Sequence, residues 1–316
     1  MASKPLISIC IPAYKNTDFL KRLFDSIHIQ LFRDFEVIVS DDSPDQGVRD
    51  LCESFRHLFP LQYHRNLPAL GTPENWNAAI RHAQGQWIKI MHDDDWFSDE
   101  QSLSAFAAAI VQHPESSFFF AAYRDVFLDE GRIREVFVSK FRYRSFLQEH
   151  ATLFSKNIVG PPSVVLYRND PSILYDARVK WVVDIDFYIR YLSGKAPVYI
   201  PKILINVGLG SQQVTRDCFG QRPIEIPENF LLLNKVGTRR LKNWLVYDAW
   251  WRLMRNLEIR RQEEISDAGY KGEIPFVILS MVKWQRRIPR SLLKMGLFSK
   301  TLMFIHYLTH INRIPA

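Results

Sequence analysis

Short apolar runs alternate with stretches of helical spacing along the first hundred residues, and that alternation constrains the fold more than any other feature. Leu6-Ile7-Ser8-Ile9-Cys10-Ile11-Pro12 is an apolar run closed by proline. A polar loop follows, Ala13-Tyr14-Lys15-Asn16-Thr17, in which Asn16 or Thr17 can cap a helix. Beyond it Phe19, Leu20, Leu23, Phe24 and Ile27 fall at helical spacing. Residues 35–40 form a second run ending at Asp41-Asp42-Ser43, followed by an expected helix over 48–58 and a weak strand over 61–64. Thr72-Pro73-Glu74 opens a third helix through Ala83, with proline near its first position. Residues 87–91 are the next strand. Strands alternating with helices of about ten residues predict βαβ units and a parallel sheet.

That last strand ends in three consecutive carboxylates, Asp93-Asp94-Asp95, directly after His92. Carboxylates this close repel one another and raise each other's pKa unless a cation sits among them. Hard divalent ions take oxygen ligands, commonly one or two carboxylates together with substrate phosphates. One reading is therefore a metal–diphosphate site at the carboxyl end of a strand, where open α/β sheets bind ligands. The other is a solvated acidic turn leading into the next helix at Ser98-Asp99-Glu100. Asp41-Asp42 is open in the same way, as a turn or as a contact to a nucleoside.

Further on come a helix over 103–111, an apolar run over 117–122 and a hairpin turn near 126–132 with a returning strand over 134–138. A strand is expected after the Gly160-Pro161-Pro162 loop, an apolar helix around 181–192 and a final strand over 197–206. Residues 208–216 are a polar loop of the kind that closes over ligands. Residues 231–257 look like one helix. Trp76, Trp96, Trp181 and Phe118-Phe119-Phe120 are expected in the core. The glycine-rich phosphate fingerprint of dinucleotide domains is missing after the first strand, which argues against NAD and FAD.

The chain has 316 residues, 47% of them hydrophobic, enough for a real core. Cys10, Cys52 and Cys218 are sparse and unpaired in pattern, arguing for a reducing compartment and against a zinc or disulfide framework. No secretory segment or spanning run is visible, so a cytoplasmic, non-spanning protein is expected. The net charge of +7 is concentrated in residues 271–316, which carry eight Lys/Arg and one acid, Glu273. The remainder is balanced, so nucleic acid is not an expected partner.

The order of these pieces resembles family 2 glycosyltransferases over roughly residues 5–220. The matching pieces are Ser8-Ile9-Cys10-Ile11-Pro12-Ala13-Tyr14-Lys15-Asn16, Phe35 to Asp45, Asn66 and Gly71, Glu74-Asn75-Trp76-Asn77, and Ala83-Gln84-Gly85 leading to the triplet. Asp184-Ile185-Asp186-Phe187 with Arg190 is similar to the family's acceptor-side motif. The resemblance implies an α/β protein of the GT-A (Rossmann-like) fold, a mixed, mostly parallel sheet flanked by helices. Residues 1–220 would be catalytic, with 1–100 the nucleotide-binding half and 101–220 the acceptor-side half, and 221–316 a helical extension with a basic amphipathic tail.

It further implies an inverting transfer from a UDP-, dTDP- or GDP-sugar to a hydroxyl of a glycan or lipid-linked glycan. Pro12, Ala13, Tyr14, Asn16 and Asn75 would line the donor pocket, and Asp41 or Asp42 would meet the base or ribose. Asp93, Asp94 and Asp95 would hold the donor diphosphate through Mn2+ or Mg2+, with Asp94 and Asp95 as metal ligands. Two registers remain: His92 at the motif's first position, or Asp93 and Asp95 flanking Asp94. Asp184 would be the base and Asp186 structural, while Gln212, Thr215 and Arg216 would fold over the pyrophosphate.

In the tail, short apolar faces interleaved with Lys and Arg suit peripheral contact with an anionic inner membrane, and packing on the protein is the alternative. Rival functions are a nucleotidyltransferase or sugar-nucleotide pyrophosphorylase, and a non-catalytic binder of nucleotide sugars.

Overall fold

A computed structural model describes residues 4–210 and 218–315. The chain divides into two compact units. The first takes in residues 1–140, 159–177 and 191–213; the second takes in 141–158, 178–190 and 214–316. The second unit therefore groups two segments from before residue 220 with the C-terminal helices.

The first unit is built on a nine-stranded sheet. Its strands are β1 (Ile7–Ala13), β2 (Phe35–Asp41), β3 (Leu61–Arg65), β4 (Trp87–Ile90), β5 (Trp96–Phe97), β6 (Phe118–Phe127), β7 (Arg132–Val136), β8 (Val165–Arg168) and β9 (Val198–Leu209). Their order is β3-β2-β1-β4-β8-β6-β9-β5, with β7 on β6. From β3 to β4 every pairing is parallel, the βαβ arrangement that the sequence predicts. Helices α1 (Thr17–His28), α2 (Gly47–Phe55) and α3 (Glu74–His82) supply the crossovers, and α4 (Ser102–Gln112) leads from β5 to β6. Asn16 caps α1, its side-chain oxygen accepting the Phe19 N–H at 3.2 Å. All seven residues of β1 and of β2 are buried, as expected for central parallel strands covered on both faces. Phe118, Phe119 and Phe120 are fully buried.

One strand end and the burial of two tryptophans differ from expectation within this unit. β9 continues through Gly208 and Leu209, which pair with Val126 and Phe127, so these two belong to the sheet and not to a loop. Trp76 and Trp96 are half-buried. Trp76 packs against His92 and Tyr175, and Trp96 lies under the Arg22 guanidinium at 3.7 Å.

The second unit is helical: α5 (Lys140–Gln148), α6 (Val183–Tyr191), α7 (Arg222–Val236), α8 (Trp244–Asn256), α9 (Gln262–Asp267), α10 (Phe276–Arg286), α11 (Arg290–Lys294) and α12 (Gly296–His310). The single helix expected over 231–257 is two. Gly237, at φ 87°, ends α7, a 3-10 turn follows, and Asn243 caps α8 by accepting the Leu245 N–H at 2.9 Å. Trp250 and Trp251 of α8 are buried in a core with Phe230, Ile278 and Met281. Trp181 is half-buried against Phe219. Among the described residues no helix is long and apolar enough to cross a membrane.

Candidate active site

Parallel register brings the carboxyl ends of β1, β2 and β4 to one edge of the sheet. Ala13 pairs with Asp41, and the Met91 N–H donates to the Cys10 carbonyl at 2.9 Å. The loops leaving these strands interlock. Asn75 Nδ2 donates to the Ala13 carbonyl at 3.3 Å, and Asn66 Nδ2 reaches Asp42 Oδ1 at 2.9 Å and Asn75 Oδ1 at 3.1 Å. Asp42 also accepts the N–H groups of Leu70 (3.0 Å) and Gly71 (2.7 Å). Asp41 is fully buried and accepts from the Tyr63 hydroxyl at 2.8 Å and the Ser43 N–H at 2.8 Å. The two carboxylates thus shape the β2 loop. Pro12 sits in the sheet opposite Ser40, and the Asn16 side chain is engaged as a helix cap. Tyr14 is exposed at the rim.

The acidic triplet divides by direction. Asp93 accepts the Tyr14 N–H at 3.3 Å, which ties the β4 loop to the β1 loop. Burial and the neighbouring charge of Asp94 push its carboxyl up to about 7. His92, Asp94 and Asp95 face one another, each offering a ligand atom within 4.8 Å of the other two. The grouping includes the histidine and leaves out Asp93. Asp95 is almost fully buried, its Oδ1 accepting the Gly208 N–H at 3.0 Å. Burial and Asp94 raise it well above the usual carboxylate range, while Ser163, Gly208 and Lys89 oppose the shift. Burial holds the His92 imidazole neutral, the form that binds metals. His92 Nε2 is buried with no hydrogen-bond partner. An orphaned imidazole nitrogen beside carboxylates that destabilise each other is what a divalent cation would satisfy, so these residues fit Mn2+ or Mg2+.

Three supports of this cluster are not expected from the sequence. Arg22 of α1 donates to the Asp94 carbonyl at 3.1 Å. Gly208 packs so closely that a Cβ there would collide with that carbonyl. Lys89 is fully buried, lies over the rings of Phe106 (5.0 Å) and Phe97 (5.9 Å), and donates to the Ser163 carbonyl. Burial drives its ammonium down to about 7. Ser163 in turn accepts the His92 N–H on its hydroxyl at 3.0 Å.

In the second unit Asp184 stands in the first turn of α6. The Glu228 carboxylate accepts the N–H groups of Lys180, Trp181 and Val182, fixing the start of that helix. Asp184 Oδ2 accepts from Asn157 Nδ2 at 2.7 Å, Oδ1 accepts the Ile185 N–H at 2.9 Å, and burial lifts the carboxyl to about 6. Asp186 is fully buried between Arg190 (2.8 Å) and Lys235 (2.5 Å), an anchor for the helix. Gln212, Thr215 and Arg216 lie outside the described residues.

Comparison with known proteins accords with this arrangement. A profile described as glycosyl transferase family 2 matches residues 8–171, just over half of the chain. An uncharacterised protein of Mycobacterium tuberculosis is 28% identical over 264 residues, 78% of this chain and 77% of its own length. The abequosyltransferase RfbV of Salmonella typhimurium is 34% identical over 94 residues, 28% of each chain. Among solved structures, S. aureus TarS in complex with UDP-GlcNAc superposes with a TM-score of 0.63 at 17% identity, covering 98% of this chain and 90% of that one. A Pyrobaculum calidifontis mannosyltransferase in complex with GDP-Man and Mn2+ gives 0.55 at 14% identity, covering 98% and 88%. The matched profile and the shared GT-A fold lead to one conclusion: the chain belongs to glycosyl transferase family 2.

Proposed function

We propose that this glycosyltransferase is an inverting enzyme that moves a sugar from a nucleoside-diphosphate sugar to a hydroxyl of a glycan or lipid-linked glycan. The observation that carries the reading is the His92–Asp94–Asp95 grouping at the carboxyl end of β4, tied through Asp93 to the backbone of Tyr14. Pro12, Ala13, Tyr14, Asn75 and the Asp41-Asp42 loop would line the nucleoside pocket, and Asn16 would hold that loop to α1. His92, Asp94 and Asp95 would hold Mn2+ or Mg2+. When bound, such an ion offsets the charge that develops on the departing diphosphate. Gln212, Thr215 and Arg216 are assigned to the pyrophosphate.

Asp184 is assigned as general base, taking the proton from the acceptor hydroxyl as the glycosidic bond forms. Its raised pKa, near working pH, and its fixing by Asn157 and Ile185 support that role. A single displacement inverts the anomeric centre. TarS is described with UDP-GlcNAc and the Pyrobaculum calidifontis mannosyltransferase with GDP-Man and Mn2+, so both nucleotides belong in the test. The basic region 271–316 is assigned to peripheral contact with an anionic membrane.

Thermal shift against UDP, GDP and dTDP, each with and without Mn2+, tests the donor reading. One nucleotide should raise the melting point by several degrees, and only with the metal. No response to any of them would refute it.

A further inference from the structure

The apolar and basic segments of the C-terminal region part company in the structure. In the run from Ile274 to Trp284 most of the apolar side chains turn inwards, with Val277, Ile278, Met281 and Val282 of α10 buried and Phe276 exposed at its start. Residues 292–308 do the opposite. They contain seven of the nineteen large hydrophobic side chains exposed among the described residues, so the outward apolar surface is concentrated in α11, α12 and the turn joining them.

On α12 these side chains form one stripe. Leu297, Phe304, Ile305 and Leu308 fall at positions i, i+7, i+8 and i+11, a single helical face with Thr301 between them. Leu297 is 84% exposed and Leu308 57%. The opposite face is pinned. Ser299, Met303 and His306 are buried. Trp251 Nε1 donates to Ser299 Oγ at 3.1 Å, and the Tyr247 hydroxyl meets His306 Nδ1 at 2.5 Å. The helix therefore cannot roll its stripe inwards without breaking buried hydrogen bonds.

Charge identifies the occupant. No acidic residue occurs after Glu273, while Lys283, Arg286, Arg287, Arg290, Lys294 and Lys300 are all exposed. Arg290 and Lys294 face Glu258 at 3.1 and 3.8 Å; the other four make no ion pair among the described residues. An apolar stripe edged by Lys300, in a segment whose exposed charges are all positive, matches an anionic bilayer, whose headgroup boundary accepts both. A second copy of the chain would bring the same positive charge to the same face.

We propose that α12 lies in the plane of an anionic lipid surface. Leu297, Phe304, Ile305 and Leu308 enter the boundary between headgroups and acyl chains, and the basic side chains of residues 283–300 meet lipid phosphates. This rests on the peripheral-membrane part of the reading above and narrows it from residues 271–316 to one helix face.

The test is co-sedimentation of the full chain with vesicles of phosphatidylglycerol and phosphatidylcholine, and of phosphatidylcholine alone. Wild type should partition to the anionic vesicles, and Phe304→Glu combined with Leu308→Glu should lower the partition coefficient roughly tenfold or more. Leu297→Gln, at the most exposed position, is the milder variant and should lower it less. Unchanged circular dichroism melts would certify that both fold. Equal partitioning of wild type and variants, or no partitioning of wild type, overturns the proposal. So does a dimer in sedimentation velocity that the double variant splits, because the stripe would then belong to a second copy. Nucleotide-dependent thermal shift on the same variants should match wild type. Its absence throughout would sink the donor reading and leave the vesicle result standing.

Discussion

Replacing Asp184 by Asn should make the protein more stable and less active at the same time. Burial lifts this carboxyl from 3.8 to about 6. At about 1.36 kcal/mol for each pH unit, that rise corresponds to about 3 kcal/mol, an upper figure because the side chain keeps some contact with solvent. The bonds from Asn157 and Ile185 are already counted in that net rise, which they oppose, and screening by solvent takes about 1 kcal/mol off it. A net gain of about 1–2 kcal/mol remains at pH 8. The folded protein holds the Asp184 proton more tightly than the unfolded chain does. Its favourable contribution is therefore complete below pH 3.8 and lost as pH rises through about 6. Urea melts of wild type and variant should thus diverge above pH 6 and converge near pH 4. Transfer should fall by about two to four orders of magnitude, the usual worth of a general base, with nucleotide binding unchanged. An Asn variant that is equally destabilised at both pH values and still transfers sugar would refute the argument, and Asp184 would be structural.

Other substitutions probe the supports of the acidic cluster. Gly208→Ala should cost about 1–3 kcal/mol in urea melts and blunt any stabilisation by Mn2+, because its Cβ would displace the Asp94 carbonyl. An unchanged melt would mean that β9 does not hold that turn. Lys89 loses its proton on folding at about 7 instead of 10.5. Between those values the unfolded chain binds one proton more, so wild-type stability should rise with pH, and Lys89→Met should flatten that slope. The same slope in both proteins would show that Lys89 is not desolvated.

Much of the first unit was legible in the sequence because its signals are local. Apolar runs of five to seven residues stopped by acids and proline can hardly be anything but buried strands, and their helical intervals dictate parallel neighbours. The break at Gly237 is marked in the letters by Gly237-Thr238 and the capping Asn243, although the apolar residues on either side fall at helical spacing and read as one helix. Lys89 illustrates what periodicity cannot convey. Its position demands burial and its residue type demands water, and only the fold reveals that the Ser163 carbonyl and two aromatic rings receive it. The same holds for Arg22 and Gly208, which meet the triplet from 72 and 113 residues away. Side-chain direction at the triplet is equally invisible in the letters: Asp93 accepts from the Tyr14 N–H, while His92, Asp94 and Asp95 face one another. The resemblance separates Asp184 from Asp186, and the fold supplies a physical difference: burial raises the pKa of the first, while the second is locked between Arg190 and Lys235.

The central claim is that His92, Asp94 and Asp95 hold a divalent ion for a nucleoside diphosphate. Electron paramagnetic resonance titration of Mn2+ into wild type and Asp94→Asn, each with saturating nucleoside diphosphate, tests it most directly. Wild type should bind one Mn2+ for each chain, and the variant should bind it more than roughly tenfold more weakly, since loss of a ligand exceeds the effect of losing an outer partner. Equal Mn2+ affinity in the two proteins would contradict the account.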